Sequence, residues 1–144
     1  MPVSTADQLE IQALVTRYNR AIDHGDVEAW VACFTEDGSF EGVPGRHEGR
    51  AALRALAQEL ADGAEGARFR PMQHWTTNFV IEYEGGPDAA RMRADHLLFR
   101  QTPGAPDEAA ELIVMAVYRD RLRREGGEWR FAERHVEPQG TQRV

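Results

Sequence analysis

The polar residues that stand out in this sequence are His96, His74, Asp23, Tyr18 and Arg134. A histidine with a carboxylate can move protons near neutral pH, and tyrosine or arginine can stabilise an oxyanion. Two histidines with one carboxylate can also hold iron. Strand alternation puts His96 with Met92, Ala94 and Leu98, opposite Arg91, Arg93 and Asp95, so it reads either as a hydrogen-bonded core histidine or as a functional one. His74 shares its face with Met72, Thr76, Asn78 and Val80, a mixed set that leaves its burial open. Asp23 falls in the last turn of the first helix, where the macrodipole disfavours an anion by about 0.3–1 kcal/mol. It lies about 140° from Tyr18 on the helical wheel, at the edge of the apolar stripe, where a solvated carboxylate would also sit. Tyr18 is well inside that stripe, and a buried hydroxyl needs a partner. Arg134 shares parity with Ala132 and Val136 on the last strand, where surface charge is the simpler reading. Taken residue by residue, the structural and the chemical roles both stand. His24, His47 and His135 read as surface residues, and Cys33 as a small core residue.

Composition narrows the chemistry. The 17 basic residues are all arginine, so a Schiff-base lysine or a phosphate-binding P-loop lysine is excluded. One cysteine excludes an internal disulfide and a multi-thiolate metal site. A net charge of −7 argues against binding nucleic acid or an anionic membrane. Asp23, His74 and His96 lack the close spacing of motifs such as H-x-D, so an iron site built from them is a rival reading rather than the leading one. No apolar run reaches the roughly 20 residues of a membrane span, and the first residues lack the basic start and apolar stretch of a signal peptide. A cytoplasmic chain forming one domain over residues 1–144 is expected.

The elements that must carry these residues follow from periodicity. Ile11, Leu14, Val15, Tyr18 and Ile22 mark an amphipathic helix over about 4–24, with Ser4 or Thr5 as N-cap and Gly25 just beyond its end. Asp26 caps a short helix from Val27 to about Phe34. Thr35 to Gly38 is expected as a turn and Ser39 to Val43 as a strand. A third helix is expected over 50–62, with Leu53, Leu56, Ala57 and Leu60 inward, and then a loop over 62–67. Strands follow at about 69–84, 89–102, 110–124 and 128–137, the last pair joined by a Gly126-Gly127 hairpin turn. Their imperfect alternation predicts bulges in a curved sheet. Helices first and an antiparallel meander after them make an α+β pattern.

The run from Arg17-Tyr18 through Asp23-His24-Gly25-Asp26, with Trp30 and Phe34 to Gly38, resembles the start of SnoaL-like domains. Gly49-Arg50-Ala51-Ala52-Leu53, His74 with Asn78 and Ile81, Tyr118-Arg119-Asp120 and Gly127 to Phe131 extend the resemblance over nearly the whole chain. These domains belong to the nuclear transport factor 2-like superfamily. The resemblance implies a cone: a curved, mainly antiparallel sheet wrapped around N-terminal helices, enclosing one pocket and dimerising through the sheet. It also implies, by comparison with scytalone dehydratase and bile-acid dehydratase, that Asp23, His74, His96, Tyr18 and Arg134 are the catalytic residues. Phe40 to Val43 hold no counterpart of the first-strand tyrosine of scytalone dehydratase, and Val117 marks no pocket asparagine, so a different substrate is implied.

On this resemblance the expected activity is that of a dehydratase or isomerase acting by enolate chemistry on a small, hydrophobic, carbonyl-bearing substrate, without cofactor or metal. Aldol-type polyketide cyclisation uses the same enolate and is the first alternative. The second is a non-catalytic ligand-binding or dimerisation module.

Overall fold

The computed structural model describes residues 2–63 and 70–141. Helix α1 spans Thr5–His24. The Ser4 side chain accepts from the Asp7 amide at 3.1 Å, and Gly25 ends the helix in the left-handed region at φ 71°, where a side chain would be strained. Helix α2, Val27–Val31, is capped by Asp26 on the Ala29 amide, and helix α3 covers Arg50–Asp62. Strands β1 (Phe34–Gly42), β2 (Gly45–Glu48), β3 (Met72–Tyr83), β4 (Ala89–Arg100), β5 (Glu111–Glu125) and β6 (Glu128–Thr141) form one sheet in the order β2-β1-β6-β5-β4-β3. Every neighbouring pair is antiparallel except β1 with β6. The class is α+β, with a six-stranded mixed sheet that is not closed.

Two stretches differ from the sequence reading. The second helix stops at Val31, and the expected turn at Thr35–Gly38 lies inside strand β1. Phe34 pairs with Phe131 of β6 while Ser39 pairs with Glu133, so β1 carries extra residues across this point. The turn-forming residues make a bulge, with the Thr35 hydroxyl on the Asp37 carboxylate at 3.0 Å. Gly38 suits this close approach, because a Cβ would be crowded by the Phe131 and Thr35 carbonyl oxygens and Phe34 Cβ, each at 3.0 Å. Beyond it, the glycine-rich stretch folds back as β2, whose Gly45 pairs with Gly42. Most of the expected 62–67 loop, and residue 69 at the start of the strand expected over 69–84, lie outside the described residues.

The expected hairpin is present: Gly126 and Gly127 link β5 to β6 with φ of 61° and 82°, the pair of positive values that a two-residue turn matching the sheet twist needs. The expected bulges are present, with the extra residues on β3, β5 and β6. Asn78 sits at the one in β3 with φ 56°, a conformation asparagine tolerates, and donates to Asp95 at 2.9 Å. The core gathers Ile11, Leu14, Tyr18 and Ile22 of α1 with Trp30, Phe34, Leu53 and Phe131 between helices and sheet. Tyr18 packs on Trp30 and Phe131 with ring centroids 5.6 Å away in each case.

One buried carboxylate ties the first turn of α1 to the far strands. Asp7 accepts from the Tyr83 hydroxyl, from the Trp129 indole at 3.0 Å and from the Arg124 guanidinium. Burial by itself raises its pKa, but the hydrogen bonds from Tyr83, Trp129 and Ser4, with the charge of Arg124, outweigh it and hold Asp7 at about 2. Asp7 therefore stabilises the fold above the unfolded-state pKa near 4, and this contribution fades as pH falls through about 2. Asp7→Asn is expected to cost roughly 1–3 kcal/mol at neutral pH. In thermal melts the gap to the parent should narrow as pH drops from about 4 towards 2.

Candidate active site

The five candidate residues come from three strands of the sheet and one helix, and the alternation of each strand turns its residue to the helical side. Asp23 is in the last turn of α1, facing the start of β3. It accepts the His74 Nδ1 proton at 2.6 Å and the His74 backbone amide at 3.2 and 3.1 Å from its two oxygens. Both side chains are mostly buried, with 13% of His74 and 9% of Asp23 exposed. The three contacts offset the unfavourable helix end, and they resolve the alternatives that periodicity left open: Asp23 is not a solvated carboxylate. With Nδ1–H given to Asp23, the His74 Nε2 carries the free lone pair.

His96 of β4 pairs with Thr76, two residues along β3, and its ring stacks on His74 with centroids 5.1 Å apart and planes 16° from parallel. Tyr118 of β5 lies against the other side of His96, at 4.6 Å. Arg134 of β6 then lays its guanidinium over Tyr118 at 3.5 Å, Tyr18 at 4.2 Å and Phe131 at 4.3 Å. The result is a row across β3, β4, β5 and β6: Asp23–His74, His96, Tyr118, Arg134. Asp23, His74 and His96 meet directly. Tyr18 and Arg134 meet each other and reach the histidines through Tyr118.

Burial sets the charge states along the row. His96 is pushed down to about 3, chiefly by burial and then by the neighbouring His74 and Arg134, so it is neutral at any ordinary pH. Burial also lifts the Tyr18 hydroxyl to about 12 and that of Tyr118 well above its usual range. Both remain hydrogen-bond donors. Arg134 is buried, not on the surface as the simpler sequence reading had it. Its register partner Asp120 is also fully enclosed, with Arg134 Nε 3.5 Å from the carboxylate, an ion-pair distance without a hydrogen bond. Burial raises Asp120 to about 7 against the opposing pull of Arg134 and His135. All three guanidinium nitrogens of Arg134 lack a hydrogen-bond acceptor among the described residues. Such a buried cation with free donors can bind an oxyanion.

Tyr118, Asp120 and Asn19 are the polar residues of the site that the sequence reading gave no role. Asn19 donates to the Thr76 hydroxyl at 3.1 Å, and its buried carbonyl oxygen has no donor. The i, i+4 spacing of Asn19 and Asp23 was a usable signal, since it places both on one helix face. Tyr118 and Asp120 alternate with charged residues in an ordinary strand pattern and carry no such signal. His24 is exposed, and His135 is 45% exposed beside Glu41, as expected for surface histidines. Among the described residues no group of three His, Cys, Asp or Glu side chains is arranged to hold a metal ion.

Similar folds are known. A Mycobacterium tuberculosis protein of unknown function, Rv3472, is 33% identical over 96% of this chain and 73% of its own, with a TM-score of 0.78. A nuclear transport factor 2-like protein with a cystatin-like fold from Novosphingobium aromaticivorans is 27% identical, over 95% of this chain and 84% of its own, with a TM-score of 0.78. ActVI-ORFA of Streptomyces coelicolor shares the fold at 22% identity, over 94% of this chain and 98% of its own, with a TM-score of 0.81. Among curated proteins no sequence matches. Residues 3–135 match the model of the SnoaL-like domain, and with that span and this fold the chain belongs to the SnoaL-like domain family.

Proposed function

We propose that the chain is a cofactor-independent dehydratase or isomerase that works through an enolate, on a small hydrophobic substrate carrying a carbonyl. The observation that carries this reading is the 2.6 Å bond between Asp23 and His74 Nδ1, which leaves His74 Nε2 as a base of fixed orientation. The family alone does not supply an activity, because one fold serves many.

In the proposed reaction His74 Nε2 takes the proton next to the carbonyl, and the C–H electron pair becomes the enolate. The positive charge on His74 is stabilised by Asp23. The developing oxyanion is met by the hydroxyl of Tyr18 or Tyr118, or by Arg134. When the enolate re-forms the carbonyl, the β-hydroxyl leaves with the proton held by His74, giving an enone and water. His96, uncharged, serves as a hydrogen-bonding wall and not as a cationic acid. If the enolate carbon attacks a second carbonyl instead, the same groups carry out an aldol cyclisation.

The outer side of the sheet supports a homodimer. Trp75 pairs with Leu97, and Leu97 with Met115, in one outward row, while Phe99 packs on Trp75 at 5.2 Å. Trp75 is 57% and Met115 48% exposed, an apolar strip across three strands that a second copy would cover. No helix in the described residues is long and apolar enough to cross a membrane. We place the chain in the cytoplasm.

Three outcomes test this reading. With a panel of β-hydroxy ketones, His74→Ala and Asp23→Asn should each lower kcat by about 10²–10⁴-fold with KM little changed; unchanged turnover would remove the dyad from the mechanism. Nitrogen-15 NMR of the imidazoles should find His96 still neutral at pH 5, well below the ordinary histidine midpoint near 6.5. In sedimentation the parent should run as a dimer, and Trp75→Arg with Met115→Arg as a monomer.

A further inference from the structure

A concave surface lies on the other side of α1 from the row. A cleft of about 890 Å³ opens between the outer face of α1, the segment from Asp26 through α2 to Cys33, and the first residues of β6. Its volume is in the range of small-molecule sites. None of the residues of the Asp23–Arg134 row lines it. Leu14, Ala21, Cys33 and Trp129, all buried, form its floor, and the walls are small side chains such as Ala13 and Ala29.

The charged groups around this floor are not all engaged alike. Three arginines and three carboxylates border the cleft. Each carboxylate is engaged: Glu10 with Arg124 at 3.8 Å, Asp26 with the Ala29 amide at 3.1 Å, and Glu128 with Arg130 at 3.3 Å. Arg17 and Arg20, three residues apart on α1, form no ion pair or hydrogen bond among the described residues. Arg130 is fixed by the Ala32 carbonyl at 3.2 Å, and its buried Nε has no acceptor. In a chain of net charge −7, two arginines without a partner among the described residues, and the free Nε of a third, thus border one apolar-floored recess. Cys33, below it, is raised to about 11 by burial, while Arg17, Arg134 and Arg130 act in the opposite direction.

We propose that this cleft is a second binding site, separate from the proposed catalytic row, for an organic anion: a phosphate or carboxylate on a small apolar body. The anion would be held by Arg17 and Arg20 with the Arg130 Nε, and the body would lie on Leu14, Ala21 and Trp129. Guanidinium forks recognise both head groups through paired N–H donors. An acidic peptide is the competing occupant, but a recess walled on three sides by a helix, a helix–strand corner and a hairpin suits a compact ligand better than an extended chain.

The probe for the test is 1-naphthyl phosphate, with uncharged 1-naphthol as its control, at pH 8 and low salt on the full chain. Calorimetry should find the phosphate bound at least about tenfold more tightly than the naphthol. Arg17→Gln with Arg20→Gln, two exposed substitutions, should remove that preference while the thermal melt stays unchanged. Amide shifts in NMR should fall on α1 around Ala13–Ala21, on Ala29–Cys33 and on Gly127–Arg130, and His74→Ala should leave binding unaltered. Equal affinity for both probes, retention of the preference in the double variant, or shifts confined to His74, His96 and Tyr118 would each overturn the proposal. These outcomes do not depend on turnover, so failure of this site and failure of the proposed reaction are told apart.

Discussion

The contact on which the site depends is the one between the end of α1 and the start of β3. A carboxylate at a helix C-terminus is repelled by the helix macrodipole, and most surface helices avoid placing one there. Asp23 is held there because it takes a ring proton and a backbone amide from a single residue, His74. The amide contact makes the pair more than a side-chain ion pair. It fixes where β3 begins relative to the helix, and hence which residues of β3 alternate inward. Thr76 follows from that register, and through Thr76 the placement of His96 opposite it on β4.

Moving across the sheet, the row changes character from stacked imidazoles to an enclosed ion pair. The two stacked imidazoles sit at one end. At the other, an arginine and an aspartate are enclosed without a hydrogen bond between them. Taking a guanidinium out of water is costly, and the Coulomb attraction of a 3.5 Å pair returns only part of that cost. The aromatic faces of Tyr18, Tyr118 and Phe131 supply the rest of its surroundings. They attract the cation without occupying its N–H groups, which keeps those donors available.

Local signals in the sequence carried far where the structure is decided locally. The α1 stripe, its Ser4 cap, the Gly25 end and the Gly126-Gly127 turn each depend on a few neighbouring residues, and each is found where the sequence places it. The segment Thr35–Gly38 was misread because its fate is decided by Phe131 and Glu133, nearly a hundred residues away. The same division holds for the site. The inward parity of His96 is a property of its own strand. The burial of Arg134 requires Asp120 on one neighbouring strand and Tyr18 on a helix, and no single-strand pattern contains that information. Asp23 stood in between: its awkward helix position was visible, its partner was not.

Strand alternation has one further consequence at His74. The next residue, Trp75, points to the opposite face, into the apolar strip with Leu97 and Met115. A single peptide unit therefore joins the inner imidazole to the outer surface, and β3 is the last strand of the sheet, with no strand beyond it among the described residues. Away from the Asp23 contact at His74, an edge strand paired on one side only is the part of a sheet most free to shift. Whatever covers Trp75 would damp that freedom, and by thermodynamic reciprocity a ligand that steadies His74 would strengthen the covering. Assembly and ligand affinity would then be two readings of how firmly one edge strand is clamped.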